Sequence, residues 1–234
     1  MALPLLNVSS FDLTLPSSGK KIKYRSMLVG EEKILAIAKN SEDDTTILNA
    51  IKQVIKNCSL DTADPEELAL VDFEYLFLHI RMKSKGEISD VKIPCQGADC
   101  KHKIEVAIDL ETFKIKEASV PDKIELTDTI GIVMKPPTLD VMKFLSKKGE
   151  DYNQTLSVVI ECIDFVYDGE ELTYPKDLKK DEMLTFIDGL STKQMKKVTS
   201  YLEGLPKIYF DLEYTCPECK TVNTRTVEGI DNFF

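Results

Sequence analysis

The sequence lacks the residues and motifs on which most enzymes depend. Its 234 residues include only two histidines. It contains no glycine-rich phosphate loop, no nucleophile elbow and no metalloprotease helix. The acidic clusters at residues 42–44 and 168–171 lie in segments typical of helix starts and solvated loops. We therefore predict a protein that is not an enzyme.

Long basic runs and long apolar runs are missing as well. The formal net charge is −10, and no lysine or arginine run supplies the basic face that nucleic-acid phosphates require. The most apolar stretch, residues 68–80, is interrupted by Asp72 and Glu74 and is shorter than the roughly 20 residues of a membrane span. Residues 1–6 are too short for a secretory signal. We predict synthesis in the cytoplasm and no nucleic-acid or membrane partner.

Two pairs of cysteines stand out against this background. Cys95 and Cys100 lie in IPCQGADCKHK, and Cys216 and Cys219 lie in YTCPECKT. Apolar and polar residues alternate beside each pair, which is typical of half-buried strands whose side chains point to opposite faces. Each pair is therefore predicted at the tip of a β-hairpin.

The spacing of the cysteines predicts one structural zinc site. Two facing hairpins would bring four thiolates to a tetrahedral point, as in a zinc ribbon. An ion held by four sulfurs has no free position for water, so it would stabilise the fold and catalyse nothing. His102 could replace Cys100 as a ligand. The predicted zinc ligands are Cys95, Cys100, Cys216 and Cys219.

Other states of these cysteines remain open. They could be reduced thiols in a metal-free ribbon, a disulfide or a redox pair. A redox CxxC motif normally opens a helix, whereas the residues after Cys219 have the pattern of a strand. The other two cysteines, Cys58 and Cys162, lie on apolar helical stretches and are interpreted as core residues.

The rest of the chain combines strand and helix patterns. Asp64 with Pro65 predicts the start of a central helix that is apolar on more than one side. Apolar residues also recur at helical spacing over residues 139–145 and 156–165. The predicted regions are an N-terminal β-hairpin (1–30), a helical region (31–92), a zinc-ribbon-like β module (93–134 and 207–234) and a helical insertion between its halves (135–206). The predicted fold is α+β, a mainly helical protein with β-hairpins that form the four-cysteine module.

Three short motifs, together with the helical segment between the two cysteine pairs, carry a resemblance to a known family. Arg81-x-x-Ser84-x-Gly86-Glu87 follows the apolar helix, IPCQGADCKHKIEVAIDL contains the first cysteine pair, and YFDLEYTCPECKTVNTRTVEGIDNFF contains the second. From about residue 20 onward, the chain resembles the baseplate hub subunit and hub-assembly family of T4-like contractile-tailed bacteriophages. The resemblance supplies no catalytic residues, and only the four cysteines correspond to functional positions.

The resemblance implies a non-enzymatic virion or morphogenesis protein. Such a protein would be made in the host cytoplasm and act in the tail baseplate. Its partners would be other baseplate hub proteins, with the tape measure protein or the central spike as further candidates. The aromatic residues within 231–234 would dock onto the fold or anchor a partner.

One alternative function remains open. A zinc-ribbon adaptor or regulator would bind a host protein or nucleic acid. A ribbon that binds nucleic acid should lose affinity steeply as the salt concentration rises. The acidic balance favours the structural role.

Overall fold

The structure, a computed structural model, describes residues 7–41, 43–141 and 152–229. Its strands are β1 (Ser10–Thr14), β2 (Lys21–Arg25), β3 (Ile88–Pro94), β4 (Lys103–Asp109), β5 (Lys114–Lys116), β6 (Lys123–Glu125), β7 (Ile130–Met134), β8 (Ile163–Asp168), β9 (Glu171–Thr173), β10 (Lys207–Thr215) and β11 (Val222–Glu228). Its helices are α1 (Val29–Lys39), α2 (Asp44–Cys58), α3 (Leu70–Lys85), α4 (Tyr152–Glu161), α5 (Lys180–Asp188) and α6 (Thr192–Glu203). Within these residues, no helix is both long enough and apolar enough to span a bilayer. The predictions for residues 1–6, 142–145 and 231–234 lie outside the described residues.

The chain divides into two compact units. Unit 1 comprises Met1–Lys116 and Lys207–Phe234, and unit 2 comprises Glu117–Pro206. Both cysteine pairs belong to unit 1. The finer subdivision predicted from the sequence stays a prediction.

An N-terminal hairpin opens unit 1, as the alternating pattern predicts. Strands β1 and β2 pair antiparallel, with Ser10 opposite Arg25. The turn between them contains Gly19 at a φ of +65°, a conformation that glycine adopts without steric cost. Ile22 and Tyr24 point inward from β2 and are each 2% exposed. The hairpin thus packs on its own unit.

Helix α3 forms the centre of unit 1. Phe73 and Ile80 are fully buried on one face of the helix, and Val71 and Leu78 are 3% and 1% exposed on nearly the opposite face. This burial confirms that the helix is apolar on more than one side. Gly86, at a φ of +90°, follows the last helical residue and ends the helix.

The predicted start of this helix is wrong by several residues. Helix α3 begins at Leu70, not at Asp64. The Asp64 carboxylate accepts a hydrogen bond from the Glu66 amide (3.1 Å), and the Asp64 carbonyl accepts one from the Glu67 amide (3.1 Å). Because an aspartate can stabilise a local turn with the same groups that cap a helix, the chain turns here first.

The strands form four small antiparallel sheets. Their orders are β1-β2, β3-β4, β11-β10-β5 and β6-β7-β8-β9. The first cysteine pair lies between β3 and β4, where Ile93 is opposite Ile104. The second lies between β10 and β11, where Thr215 is opposite Val222. Both predicted cysteine hairpins are therefore present.

The prediction of a mainly helical protein is wrong. Within the described residues, the eleven strands are nearly as extensive as the six α-helices, so the fold is α+β without a helical majority. Helix α4 ends at Glu161, and Ile163 and Phe165 lie in β8, which pairs with β7 and β9. These residues continue the helical spacing of α4, but the β-branched and aromatic residues of β8 fit a pleated surface better.

The core of unit 2 lies between its sheet and its helices. Ile132 of β7, Val159 of α4 and Val198 of α6 are each 0% exposed. Cys162 is also 0% exposed within this core, as is Cys58 in unit 1. Burial raises the pKa of Cys58 to about 11 and that of Cys162 to about 12, so both thiols stay protonated. Both confirm the prediction of core cysteines.

Candidate metal centre

The two cysteine turns have equivalent backbone geometry. The Cys95 amide donates to the carbonyl of His102 (2.9 Å), and the Cys216 amide donates to the carbonyl of Thr221 (2.9 Å). In each turn, the accepting carbonyl lies two residues beyond the second cysteine. We call the two turns, residues 95–102 and 216–221, the first and the second knuckle.

The longer first knuckle contains an additional turn. The Cys100 amide donates to the carbonyl of Gly97 (3.0 Å), which folds the two extra residues back. The second knuckle closes through Lys220, whose amide donates to the carbonyl of Cys216 (3.0 Å) and whose φ of +61° is left-handed. The two knuckles therefore hold their cysteines in similar positions, although four residues separate the cysteines of the first and two residues those of the second.

The knuckles bring the four predicted sulfurs together. The Sγ atoms of Cys95 and Cys219 lie 3.5 Å apart, and those of Cys100 and Cys216 lie 3.8 Å apart. All four Sγ atoms lie within 4.8 Å of one another. A tetrahedral ion with Zn–S bonds of 2.3 Å requires sulfurs about 3.8 Å apart. The cluster is therefore compatible with a metal ion.

The surroundings of the cluster shift the pKa values of two of its thiols in opposite directions. The Thr221 hydroxyl, followed by the Thr221 amide, lowers the pKa of Cys219 to about 6. A backbone hydrogen bond at His102 favours the Cys100 thiolate, but desolvation and the neighbouring thiols outweigh it and raise the pKa of Cys100 to about 12. A divalent cation among the sulfurs would lower the pKa of all four thiols, because it stabilises every thiolate.

The alternative ligand His102 has a different contact. Its Nδ1 lies 3.2 Å from Oε1 of Glu218 on the second knuckle. The sulfur of Cys100, and not the imidazole, is the group that joins the other three cysteines. Cys216 is fully buried and Cys219 is exposed, so the cluster lies at the edge of unit 1.

Three further residues lie around the cluster, and the sequence pattern does not show their roles there. A Cβ atom on Gly97 would lie 3.3 Å from Sγ of Cys219, so a side chain at this position would crowd the second knuckle. The Thr221 hydroxyl lies 3.2 Å from the same sulfur. Asn223 is fully buried in β11. The strand pattern after the second pair indicates which positions face inward, but it does not reveal a polar side chain with a bonding role.

Comparisons with known proteins supply one match. The family described as T4 bacteriophage base plate protein matches residues 8–234, nearly the whole chain. No curated protein and no solved structure gives a match. The family match confirms the resemblance to T4-like baseplate proteins, and it indicates a structural component of the phage tail with other baseplate proteins as partners. The chain belongs to the T4 bacteriophage base plate protein family.

Proposed function

We propose that this protein is a non-enzymatic structural or assembly component of the baseplate hub, and that one zinc ion stabilises its fold. The family match over residues 8–234 supports the structural role, and the convergence of four thiols from two separate hairpins is the observation that supports the zinc ion. The zinc ligands would be Cys95, Cys100, Cys216 and Cys219.

The donor set favours zinc and a structural role. Four thiolates suit a borderline-soft ion with no redox chemistry of its own, and the site carries a formal charge of about −2 when it is filled. All four tetrahedral positions would be taken by sulfur, so neither water nor a substrate could coordinate. Such a site would join the β3-β4 hairpin to the β10-β11 hairpin.

Exposed apolar side chains support a role through protein interfaces. In α1, Val29 is 83% exposed and Ile37 is 61% exposed. Together with Leu28, which is 46% exposed just before the helix, they leave apolar surface at both ends of α1, and exposed apolar surface supports a site where a partner binds. We propose other baseplate hub proteins as the partners, with the tape measure protein or the central spike as further candidates. Assembly would take place in the host cytoplasm, and the protein would then reside in the tail baseplate.

Native mass spectrometry of the purified protein tests the metal. The spectrum should contain one zinc ion per chain, and chelation should remove that mass and lower the melting temperature. A protein purified from zinc-supplemented cells without bound metal would contradict the zinc assignment.

Co-expression with hub proteins tests the role. A complex of fixed stoichiometry should form, and Ile37→Asp should weaken it while the zinc content stays at one per chain. Steeply salt-dependent binding to nucleic acid without any hub complex would instead support the adaptor function.

A further inference from the structure

Asn223 is a buried polar residue at the junction of the two knuckles. It lies in β11 opposite Tyr214, and its side chain is 0% exposed. An amide in such a position must find hydrogen-bond partners inside the protein, because an unsatisfied buried polar group is costly. The identity of its partners therefore indicates what the residue is for.

The side chain of Asn223 makes three hydrogen bonds. Its Oδ1 accepts from the backbone amide of Gln96 (2.7 Å). Its Nδ2 donates to the carbonyls of Thr221 (2.9 Å) and Tyr214 (3.4 Å). A backbone amide can only donate and a carbonyl can only accept, so these partners fix the orientation of the side-chain amide.

These bonds connect both halves of the cysteine cluster. Gln96 directly follows Cys95 in the first knuckle, and Thr221 lies two residues beyond Cys219 in the second. The sulfurs of Cys95 and Cys219 are the pair only 3.5 Å apart. Asn223 thus bonds to the backbone next to Cys95 in the first knuckle and to the backbone two residues beyond Cys219 in the second.

We propose that Asn223 is the positioning residue of the metal site. It holds the two knuckles at ligand spacing before a metal ion arrives, and it touches neither the ion nor a sulfur. This inference rests on the proposed function, because it assumes that the four cysteines bind zinc. Its energetic basis is that a site whose ligands are already placed loses less conformational freedom on binding.

Other contacts also connect the two knuckles, including the one between His102 and the exposed Glu218. The side chain of Gln96 donates to the carbonyl of Thr224 (3.3 Å), but this bond is exposed and long. A Cβ atom on Gly97 would lie 3.3 Å from Sγ of Cys219, so the two knuckles lie close together at this point. The short bond from the Gln96 amide to the buried Asn223 side chain is the contact that we expect to determine the spacing.

The test compares zinc affinities by competition with a chromophoric chelator. Asn223→Ala should lower the affinity by about 10–100-fold, the range found when an outer-shell partner is removed. Cobalt(II) bound to this variant should give a weaker and broader visible spectrum, because the four sulfurs no longer hold a regular tetrahedron. If Asn223→Ala does not fold, Asn223→Thr replaces it, since threonine suits a strand but its hydroxyl is too short to reach Gln96.

Two matched variants separate positioning from general stability. Gln96→Ala keeps the backbone donor, so it should bind zinc like the wild type. Asp72→Asn alters another buried polar residue of unit 1, and it should lower stability without changing the zinc affinity or the cobalt spectrum. A wild-type protein that binds no zinc would contradict the proposed function. If the wild type binds zinc and the Asn223 and Gln96→Ala variants bind it equally tightly, the proposed function stands and only the positioning role of Asn223 is overturned.

Discussion

The buried carboxylate of Asp72 accepts two hydrogen bonds from Ser17, one from its amide (2.8 Å) and one from its hydroxyl (2.8 Å). The hydroxyl of Ser18 donates a third (2.8 Å). Asp72 is 1% exposed and lies in the first turn of α3, where a negative charge is favourable. This carboxylate therefore attaches the turn of the N-terminal hairpin to the central helix of unit 1.

Asp72→Ala should destabilise unit 1 by roughly 3 kcal/mol, because three donors in the hairpin turn lose a charged acceptor. Urea denaturation followed by circular dichroism measures the loss. Ser18→Ala removes only one of the three bonds and should cost about 1 kcal/mol. Equal effects of the two substitutions would mean that the carboxylate does not attach the hairpin.

Cys216→Ser should lower both the zinc content and the free energy of unfolding. Loss of one ligand should cost several kcal/mol, since apparent binding free energies at structural zinc sites are about 10–16 kcal/mol. Cys58→Ser is the matched control, because Cys58 is equally buried but lies outside the cluster. It should lower stability by about 1–3 kcal/mol through the buried hydroxyl and leave the zinc content unchanged.

Metal analysis and thermal melting of the two variants distinguish the possibilities. A Cys216→Ser protein with the zinc content and melting temperature of the wild type would remove the cluster as a metal site. If both variants lost zinc equally, the metal would depend on the stability of unit 1 as a whole, and not on the sulfur of Cys216.

The cysteine hairpins could be predicted from the sequence because their signals are local. Alternating residues such as Ile104 and Ile108 specify which face of β4 is buried, and both are less than 10% exposed. The strand at Ile163 could not be predicted in this way. A short apolar run at the end of a helix fits both periods, and only pairing with β7, some thirty residues earlier in the chain, decides between them.

The meeting of the four cysteines could be predicted from the sequence, whereas metal binding by them stays a prediction. The spacing of Cys216 and Cys219 indicates a ligand pair, and the structure brings all four cysteines together. Sequence spacing left the choice between Cys100 and His102 open; in the structure the Cys100 sulfur lies with the other three cysteines, and His102 contacts Glu218. Asn223 has no local signal, since its role depends on Gln96 more than a hundred residues earlier in the chain.

The buried ring of His79 should make the folded protein less stable in acid. It packs against Tyr75, Phe113 and Tyr24, at centroid distances of 4.5, 6.0 and 6.3 Å. Its buried Nε2 has no hydrogen-bond partner among the described residues. Burial, and then the charge of Lys83, lowers the pKa of His79 from 6.5 to about 4. The folded protein therefore holds this imidazole neutral.

Because the unfolded chain binds this proton near pH 6.5 and the folded protein only near pH 4, stability should fall as the pH is lowered through that window. The loss should approach roughly 3 kcal/mol at its acid end. Urea denaturation of the wild type and of His79→Phe across the window measures it. The variant should still lose stability in acid through all other groups, including the release of metal, but it should lack the part that comes from His79. Parallel stability curves for the two proteins would contradict the prediction.

Gly131 of β7 lies directly opposite Tyr167 of β8, and the tyrosine ring covers it. A Cβ atom at this position would collide with the hydroxyl end of that ring. Lys123 of β6 also lies over this ring, with its Nζ 5.0 Å from the centroid. Gly131→Ala should therefore displace Tyr167 and destabilise unit 2 by about 1–3 kcal/mol, the usual cost of overpacking.

A double-mutant cycle decides whether the collision is the cause. Tyr167→Ala removes the ring, so Gly131→Ala should cost far less in that background, and the coupling between the two substitutions should reach about 1–2 kcal/mol. Gly30→Ala in α1 is the control, because a Cβ there meets no atom within 4 Å and alanine favours a helix. It should leave stability unchanged or raise it slightly. If Gly131→Ala is equally harmful with and without the tyrosine, the glycine is required for the backbone of β7 and not for the space that the ring occupies.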